Sequence, residues 1–335
     1  FSFLDAKADI DVLEQLLGLK KQGNTVIIST HNIEHVAEHS DKMVLLNGGK
    51  IVAEGKPEHV LYDKKLAEIL TAPLSIKAAK LLAAKKKLNL KERILGWPQL
   101  LGVIKIKPRG TVKRAAKSSV KVVLQLQNVS FSYPEDEGKK GVANIDLSVC
   151  QNEGLGIIGA NGSGKTTLAK LIMGLLKPSK GKIVLGEKEI TRQSVSERAK
   201  AIGYVTQDPI DMFFETTVLA ECAFGPKCLR LANPEKRAEE TLKMLNIYKY
   251  RDNHTDSLSG GEKSLLGMAD ILVNEPEILL LDEPEFGLDP KNWRKIVAII
   301  KKLQQQGKTI IVITQDLEKA LFLCDRIALL KGGKI

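Results

Sequence analysis

The chain has 335 residues, 43% of them hydrophobic and only 4% aromatic, with a formal net charge of +11. That length has room for about two domains, and the composition is that of an ordinary soluble globular protein. No stretch approaches the roughly 18 uncharged apolar residues of a membrane span, and no basic-then-apolar leader opens the chain. Cys150, Cys222, Cys228 and Cys324 have neither zinc-site nor disulfide-framework spacing, so free thiols of a cytosolic protein are expected.

The charge is unevenly placed. Thirteen Lys or Arg lie between Lys77 and Lys117 against a single acid, Glu92, which leaves the remainder near neutral. This stretch reads either as a solvated linker helix or as a contact for anionic headgroups or nucleic acid.

Taken in order, the first 51 residues repeat near the end of the chain. Leu4-Asp5 lies over Leu288-Asp289, Gly23 over Gly307, Thr30 over Thr314, and Gly48-Gly49-Lys50-Ile51 over Gly332-Gly333-Lys334-Ile335, without a gap. About a third of the pairs are identical, the mark of a duplicated domain. Residue 1 is Phe and the first copy has no glycine-rich loop of its own, so we expect a chain cut at both ends. Each copy should give a helix (Asp9–Lys21 in the first), a buried strand (Val26–Ser29), a helix, and then two strands joined by Asn47-Gly48-Gly49. The expected organisation is a truncated first domain over 1–60, a basic tail and linker over 61–119, and a second domain over 120–335.

In the second domain, alternation from Val122 to Phe131 and from Val142 to Val149 predicts antiparallel strands. Lys182–Leu185, Ile202–Val205 and Ile278–Leu281 read as further strands. Thr217–Phe224, Pro234–Leu245 and Gly261–Val273 read as a helical insert within 207–275.

Gly159-Ala160-Asn161-Gly162-Ser163-Gly164-Lys165-Thr166-Thr167 follows the apolar run Leu155–Ile158 and precedes a helical pattern. That strand, loop and helix context is what a phosphate-binding loop needs. Gly159, Gly162 and Gly164 let successive amides face one anion at the positive end of a helix. Asn161, Ser163, Lys165, Thr166 and Thr167 complete the candidate nucleotide-binding set, with Lys165 toward the outer phosphates of ATP and the Thr166 hydroxyl toward Mg²⁺. Asp282 and Glu283 end a buried strand, the first suited to the Mg²⁺ shell and the second to polarising an attacking water. Leu258-Ser259-Gly260-Gly261-Glu262 opens a helix whose N-terminus suits a phosphate.

In this order and spacing, the phosphate loop, Leu-Ser-Gly-Gly-Glu, Asp-Glu-Pro and Gly287-Leu288-Asp289 resemble the ATPase domain of ABC proteins. The fold implied is α/β: a P-loop NTPase with a mainly parallel sheet, an antiparallel β subdomain and a helical subdomain. The resemblance implies that Tyr133 stacks on adenine, that Gln207 senses Mg²⁺ and the attacking water, and that Asp5 and Asp289 cross a dimer interface. It also implies head-to-tail pairing with another ABC ATPase domain, each ATP lying between one phosphate loop and the other's Ser259-Gly260-Gly261 segment. Where the family has a catalytic histidine, the first copy has His31 and the second has Gln315. Gln315 cannot carry a proton or a positive charge, so unequal sites are expected, the one with Gln315 turning over slowly.

The stretch Gln207-Asp208-Pro209-Ile210-Asp211-Met212-Phe213-Phe214 through Pro226 resembles ATPase subunits of energy-coupling factor importers of vitamins or transition-metal ions. Ala72-Pro73 and the helix after them resemble the C-terminal extension of such subunits. In that family the 208–226 region lies against coupling helices of membrane-embedded transport subunits, at the cytoplasmic face of the membrane. Met212, Phe213 and Phe214 read either as such a socket or as a buried cluster. A soluble tandem ABC protein acting on ribosomes or nucleic acid, and an inactive remnant, are the competing readings.

Overall fold

The computed structural model describes residues 6–30, 33, 36–66, 73–84, 94–96, 99–100, 121–134, 140–207, 213–286, 288 and 290–335. The chain divides into two compact units, Phe1–Ala116 and Lys117–Ile335.

The first unit contains helix α1 (Ala6–Lys21), strands β1 (Met43–Asn47) and β2 (Lys50–Gly55), and helices α2 (Pro57–Val60) and α3 (Leu74–Ala84). Gly48 and Gly49 both have positive φ (57° and 72°), the backbone a two-residue hairpin turn demands, and β1 pairs antiparallel with β2. Val26–Ser29 is not a strand, contrary to the expectation, and Ile27 is 91% exposed. The equivalent strand in the second unit is flanked on both sides by parallel neighbours. Among the described residues the first unit has no such neighbours, so the β-branched run has no ladder to join. The basic region also departs from a plain linker. Ile76 is buried with Ala37 and Leu61, Ala79 with Ile94 and Leu100, and the Tyr62 hydroxyl donates to the Ile94 carbonyl at 2.9 Å. The lysines leave the apolar positions of an amphipathic helix free to pack.

The second unit is built on two sheets. β3 (Val122–Ser132), β4 (Lys140–Cys150), β6 (Lys180–Leu185) and β7 (Lys188–Glu189) form an antiparallel sheet in the order β4-β3-β6-β7. β5 (Gly154–Ile158), β8 (Ile202–Val205), β9 (Ile278–Asp282), β10 (Thr309–Thr314) and β11 (Arg326–Leu329) form a parallel sheet in the order β11-β5-β10-β9-β8. Because side chains alternate along a strand, the continuous apolar runs of β9 and β10 feed two cores. Leu280, Ile311 and Ile313 pack with the inner face of the antiparallel sheet and with helix α4 (Lys165–Met173). Leu279, Leu281, Ile310 and Val312 pack on the other side, under helices.

Those helices are α6 (Val218–Cys228), α7 (Pro234–Met244), α8 (Gly260–Leu272), α9 (Pro290–Gln305) and α10 (Leu317–Leu323), while α5 (Val195–Arg198) precedes β8. Three of the starts carry a recognisable cap. The Thr217 hydroxyl accepts from the Ala220 amide, Ser259 forms a capping box with Glu262, and the Asp316 carboxylate accepts from the Lys319 amide. At the far end of α4, the buried guanidinium of Arg198 donates to the carbonyls of Leu171 (2.8 Å) and Ile172 (2.7 Å), in the last turn where intrahelical donors run out. The helix that opens at Lys165 is therefore anchored at its other end as well.

Asp270, on α8, has both carboxyl oxygens buried in the helical region and neither hydrogen-bonded. Burial, and secondarily Glu221, push its pKa well above the ordinary carboxylate range. A carboxyl pKa higher in the folded than in the unfolded chain means that folding favours its protonated form. Its contribution therefore lowers stability as pH rises through the ordinary carboxyl range, and is absent below that range. We predict that Asp270→Asn raises Tm by about 3 °C at pH 8 and by clearly less at pH 5. Thermal unfolding at the two pH values checks this; an equal change at both would contradict it.

Candidate functional site

The site lies at the carboxyl ends of β5, β8, β9 and β10. β5 runs straight into Gly159, where a Cβ would come within 2.3 Å of the Leu330 carbonyl and 2.5 Å of the Ser163 hydroxyl. Gly164 has φ +104°, and a Cβ there would meet the Gly141 carbonyl at 2.6 Å. Only glycine fits either position. The loop is braced from outside by the turn at the end of β11: the Gly333 amide donates to the Ser163 carbonyl (3.1 Å), and its carbonyl accepts from the Ala143 amide (2.8 Å).

Lys165 opens α4 and is almost wholly buried. Its ammonium donates to the carbonyls of Gly159 (2.9 Å) and Ala160 (3.1 Å) and lies 3.9 Å from Glu283 Oε1. Glu283 follows the last residue of β9 with φ +48°, a left-handed backbone unusual for a glutamate. That twist carries its carboxylate across to β8, where the Gln207 side-chain amide donates to Oε2 at 2.9 Å. Asp282, 1% exposed, accepts from the Tyr204 hydroxyl at 3.2 Å and from the Thr166 side chain.

Burial raises both carboxyl pKa values. For Asp282 the hydrogen bonds from Thr166 and Tyr204 and the charges of Lys165 and Lys170 oppose the rise. For Glu283 burial is reinforced by Asp282 and opposed by Lys165 and Lys319. These are carboxylates in a cleft with cations on one side, an arrangement suited to a divalent cation and to polarising a water.

Gly159, Ser163, Gly164, Lys165, Thr166, Gln207, Asp282 and Glu283 thus converge on one cleft. Tyr133 is 38% exposed, and its hydroxyl is 3.1 Å from that of Thr167. Gly162, at φ +73°, faces open space. Gln315 follows β10 with its side-chain oxygen buried and without a hydrogen-bond partner. Ser259, Gly260 and Gly261 lie at the start of α8, on the helical side of the sheet. The Ser259 hydroxyl there bonds Glu262 at 2.7 Å, and Gly261 abuts Asn292. His31, Asp5, Asp289 and 208–212 fall outside the described residues.

Tyr204 and Lys319 escaped the motif reading. Tyr204 is one buried residue among four on β8, and nothing in the sequence says that its hydroxyl reaches Asp282. The residues present fit MgATP: a glycine cradle that no Cβ could enter, a buried ammonium, and a Thr hydroxyl already bonded to a strand-end aspartate. The buried Ser163 hydroxyl, without a partner, adds a donor to the same loop.

Comparisons with known proteins agree with this geometry. The ABC transporter family model matches residues 142–285. A putative ABC transporter ATP-binding protein of Clostridium perfringens is 32% identical over 98% of this chain and 58% of its own length. One from Pyrococcus horikoshii is 40% identical over 64% of this chain and 82% of its own length. Among solved structures, CbiO1 of Clostridium perfringens, part of the ABC transporter complex CbiONQ, is 32% identical with a TM-score of 0.58. It aligns with 64% of this chain and 86% of its own. A dimeric ATP-binding cassette bound to ADP and phosphate is 30% identical with the same TM-score of 0.58, over 63% of this chain and 96% of its own. The chain belongs to the ABC transporter ATP-binding proteins. Its second unit has the fold of their ATP-binding cassette. The chain spans about 60% of the length of the long relatives it matches.

We predict that Lys165→Ala abolishes the rise in Tm that MgATP gives the unaltered chain. A nucleotide at about 100 times its Kd stabilises by about 2.7 kcal/mol, so the loss is readily read by thermal unfolding. An undiminished rise would contradict the assignment.

Proposed function

We propose that this chain is the duplicated ATP-binding and ATP-hydrolysing part of an importer of the energy-coupling factor type, which takes up vitamins or transition-metal ions. The observation that carries ATP hydrolysis is the meeting of Lys165, Gln207 and Glu283 at one cradle, with Asp282 bonded to Thr166 beside them. The amides of Gly159–Thr167 and the Lys165 ammonium hold the phosphates, and Tyr133 takes the adenine. Thr166, Asp282 and Gln207 are the residues that would hold Mg²⁺, which when bound screens charge on the transferring phosphate. Glu283 orients the water and takes its proton, and Gln207 fixes the Glu283 carboxylate. Gln315 donates a neutral hydrogen bond where the first copy has His31, and the site containing it turns over slowly. Ser259, Gly260 and Gly261 serve the nucleotide of a paired cassette.

The transport part of the reading rests on the Gln207–Pro226 sequence, and the likeness to CbiO1, a component of a transporter complex, supports it. Among the described residues no helix is long and apolar enough to cross a membrane. In this reading the substrate path belongs to membrane-embedded partners, at whose cytoplasmic face the chain sits. Phe214 is 74% exposed and stacked on Phe224 at 5.4 Å, an aromatic step suited to an apolar helix of such a partner.

Affinity purification from detergent-solubilised cells tests the reading. We expect membrane proteins to be recovered with the chain, and Phe214→Asp to reduce their recovery by about tenfold or more, as loss of a buried aromatic anchor does. Recovery of ribosomal RNA in place of membrane proteins would overturn it in favour of a soluble ribosome-acting ATPase.

A further inference from the structure

Two residues beyond Glu283 lies a second carboxylate that the proposed reaction does not use. The Glu285 side chain is only 10% exposed, and one of its oxygens is buried without any hydrogen-bond partner. A buried acid in that position costs desolvation and is repelled by Asp316, so packing alone gives no reason for it. Its other oxygen accepts from the Thr314 hydroxyl and lies 3.8 Å from the Lys319 ammonium. Lys319 also pairs with Asp316 at 3.1 Å. The Asp316 amide donates to the Thr314 hydroxyl at 2.9 Å, and the Asp316 carboxylate caps the helix that carries Lys319. The residues on both sides of Gln315 are thereby tied to the turn that comes after Glu283.

The internal repeat supplies an independent comparison. At the positions matching Glu285, Gln315, Asp316 and Lys319, the first copy has Phe1, His31, Asn32 and His35, while the threonine is kept as Thr30. The acid, its cation and the capping aspartate are replaced together with the residue they flank.

We propose that Glu285 and Lys319 are positioning residues for ATP hydrolysis in the second unit, forming a latch that holds the turn after Glu283 in register with the loop bearing Gln315. A histidine can meet a phosphate with a mobile charge; a neutral amide depends on being held in place. The latch supplies that constraint by joining the ends of two neighbouring strands through one buried carboxylate and one ammonium. The inference rests on the hydrolytic role of Glu283 proposed above.

The test compares steady-state ATP hydrolysis by the full 335-residue chain with that of Glu285→Gln, Lys319→Met, the double variant and Lys319→Arg, each first shown to be folded by thermal unfolding. Misplacing reacting groups lowers the rate of the chemical step more than nucleotide affinity. We expect each single loss to reduce kcat by about tenfold with KM for ATP within about twofold. The double variant should fall no further than the singles, because the two residues act as one unit. Lys319→Arg should stay within about threefold of the unaltered chain. Should Glu285→Gln fail to fold, the partly exposed Lys319 keeps the test open through its own two variants. Unaltered hydrolysis in the single variants, multiplying losses in the double, or a KM that rises in step with the fall in kcat would each overturn the latch while leaving the hydrolytic reading intact. A parent chain that binds MgATP but does not hydrolyse it would overturn both.

Discussion

Lys165 and Glu283 face each other across 3.9 Å in a nearly dry cleft, and the rest of the second unit is arranged around that opposition. At an effective dielectric of about 20, such a pair attracts by roughly 4 kcal/mol, while removing each ion from water costs several kcal/mol. The pair therefore adds little net stability to the fold. Its value is in where the charges stand: an ammonium at the mouth of an amide-lined loop, and a carboxylate brought to it by a left-handed residue at a strand end.

Three features of the architecture hold these two charges in place. The parallel sheet sets the loop after β5 next but one to the end of β9, with β10 between them. The alternation of β9 and β10 packs both faces of the sheet, so neither strand can rotate without emptying a core. The glycines at 159, 164 and 333 then allow the loop to approach the neighbouring backbone more closely than any other residue would. The side chains that complete the site, Gln207 and Asp282, arrive at the ends of strands and not on long loops, which fixes their positions well before any ligand is considered.

Much of this was legible in the sequence because it depends on short-range pattern. The run Ile278–Leu281 with no polar interruption reads as a strand buried on both faces, and it is one. Ser259 followed three residues later by Glu262 reads as a helix start, and the capping box is present. The phosphate loop was legible because a strand, a glycine-rich turn and a helix occur in immediate succession. What was not legible depends on partners far along the chain. Val26–Ser29 has the composition of a strand, but a parallel strand exists only through its neighbours. Ile76, Ala79, Ile94 and Leu100 form packed faces within a lysine-rich stretch, and their partners lie too far along the chain for local spacing to show them. The Tyr204 bond to Asp282 and the contacts of Glu285 with Thr314 and Lys319 join residues about 30 to 80 positions apart. No local spacing announces them.

The most direct measurement of the central claim separates nucleotide binding from hydrolysis at Glu283. The account predicts that Glu283→Gln binds MgATP with a Kd within about threefold of the unaltered chain, while hydrolysis falls by at least about 100-fold, the usual effect of losing a positioned general base. Retained hydrolysis in this variant, or loss of nucleotide binding along with it, would contradict the account.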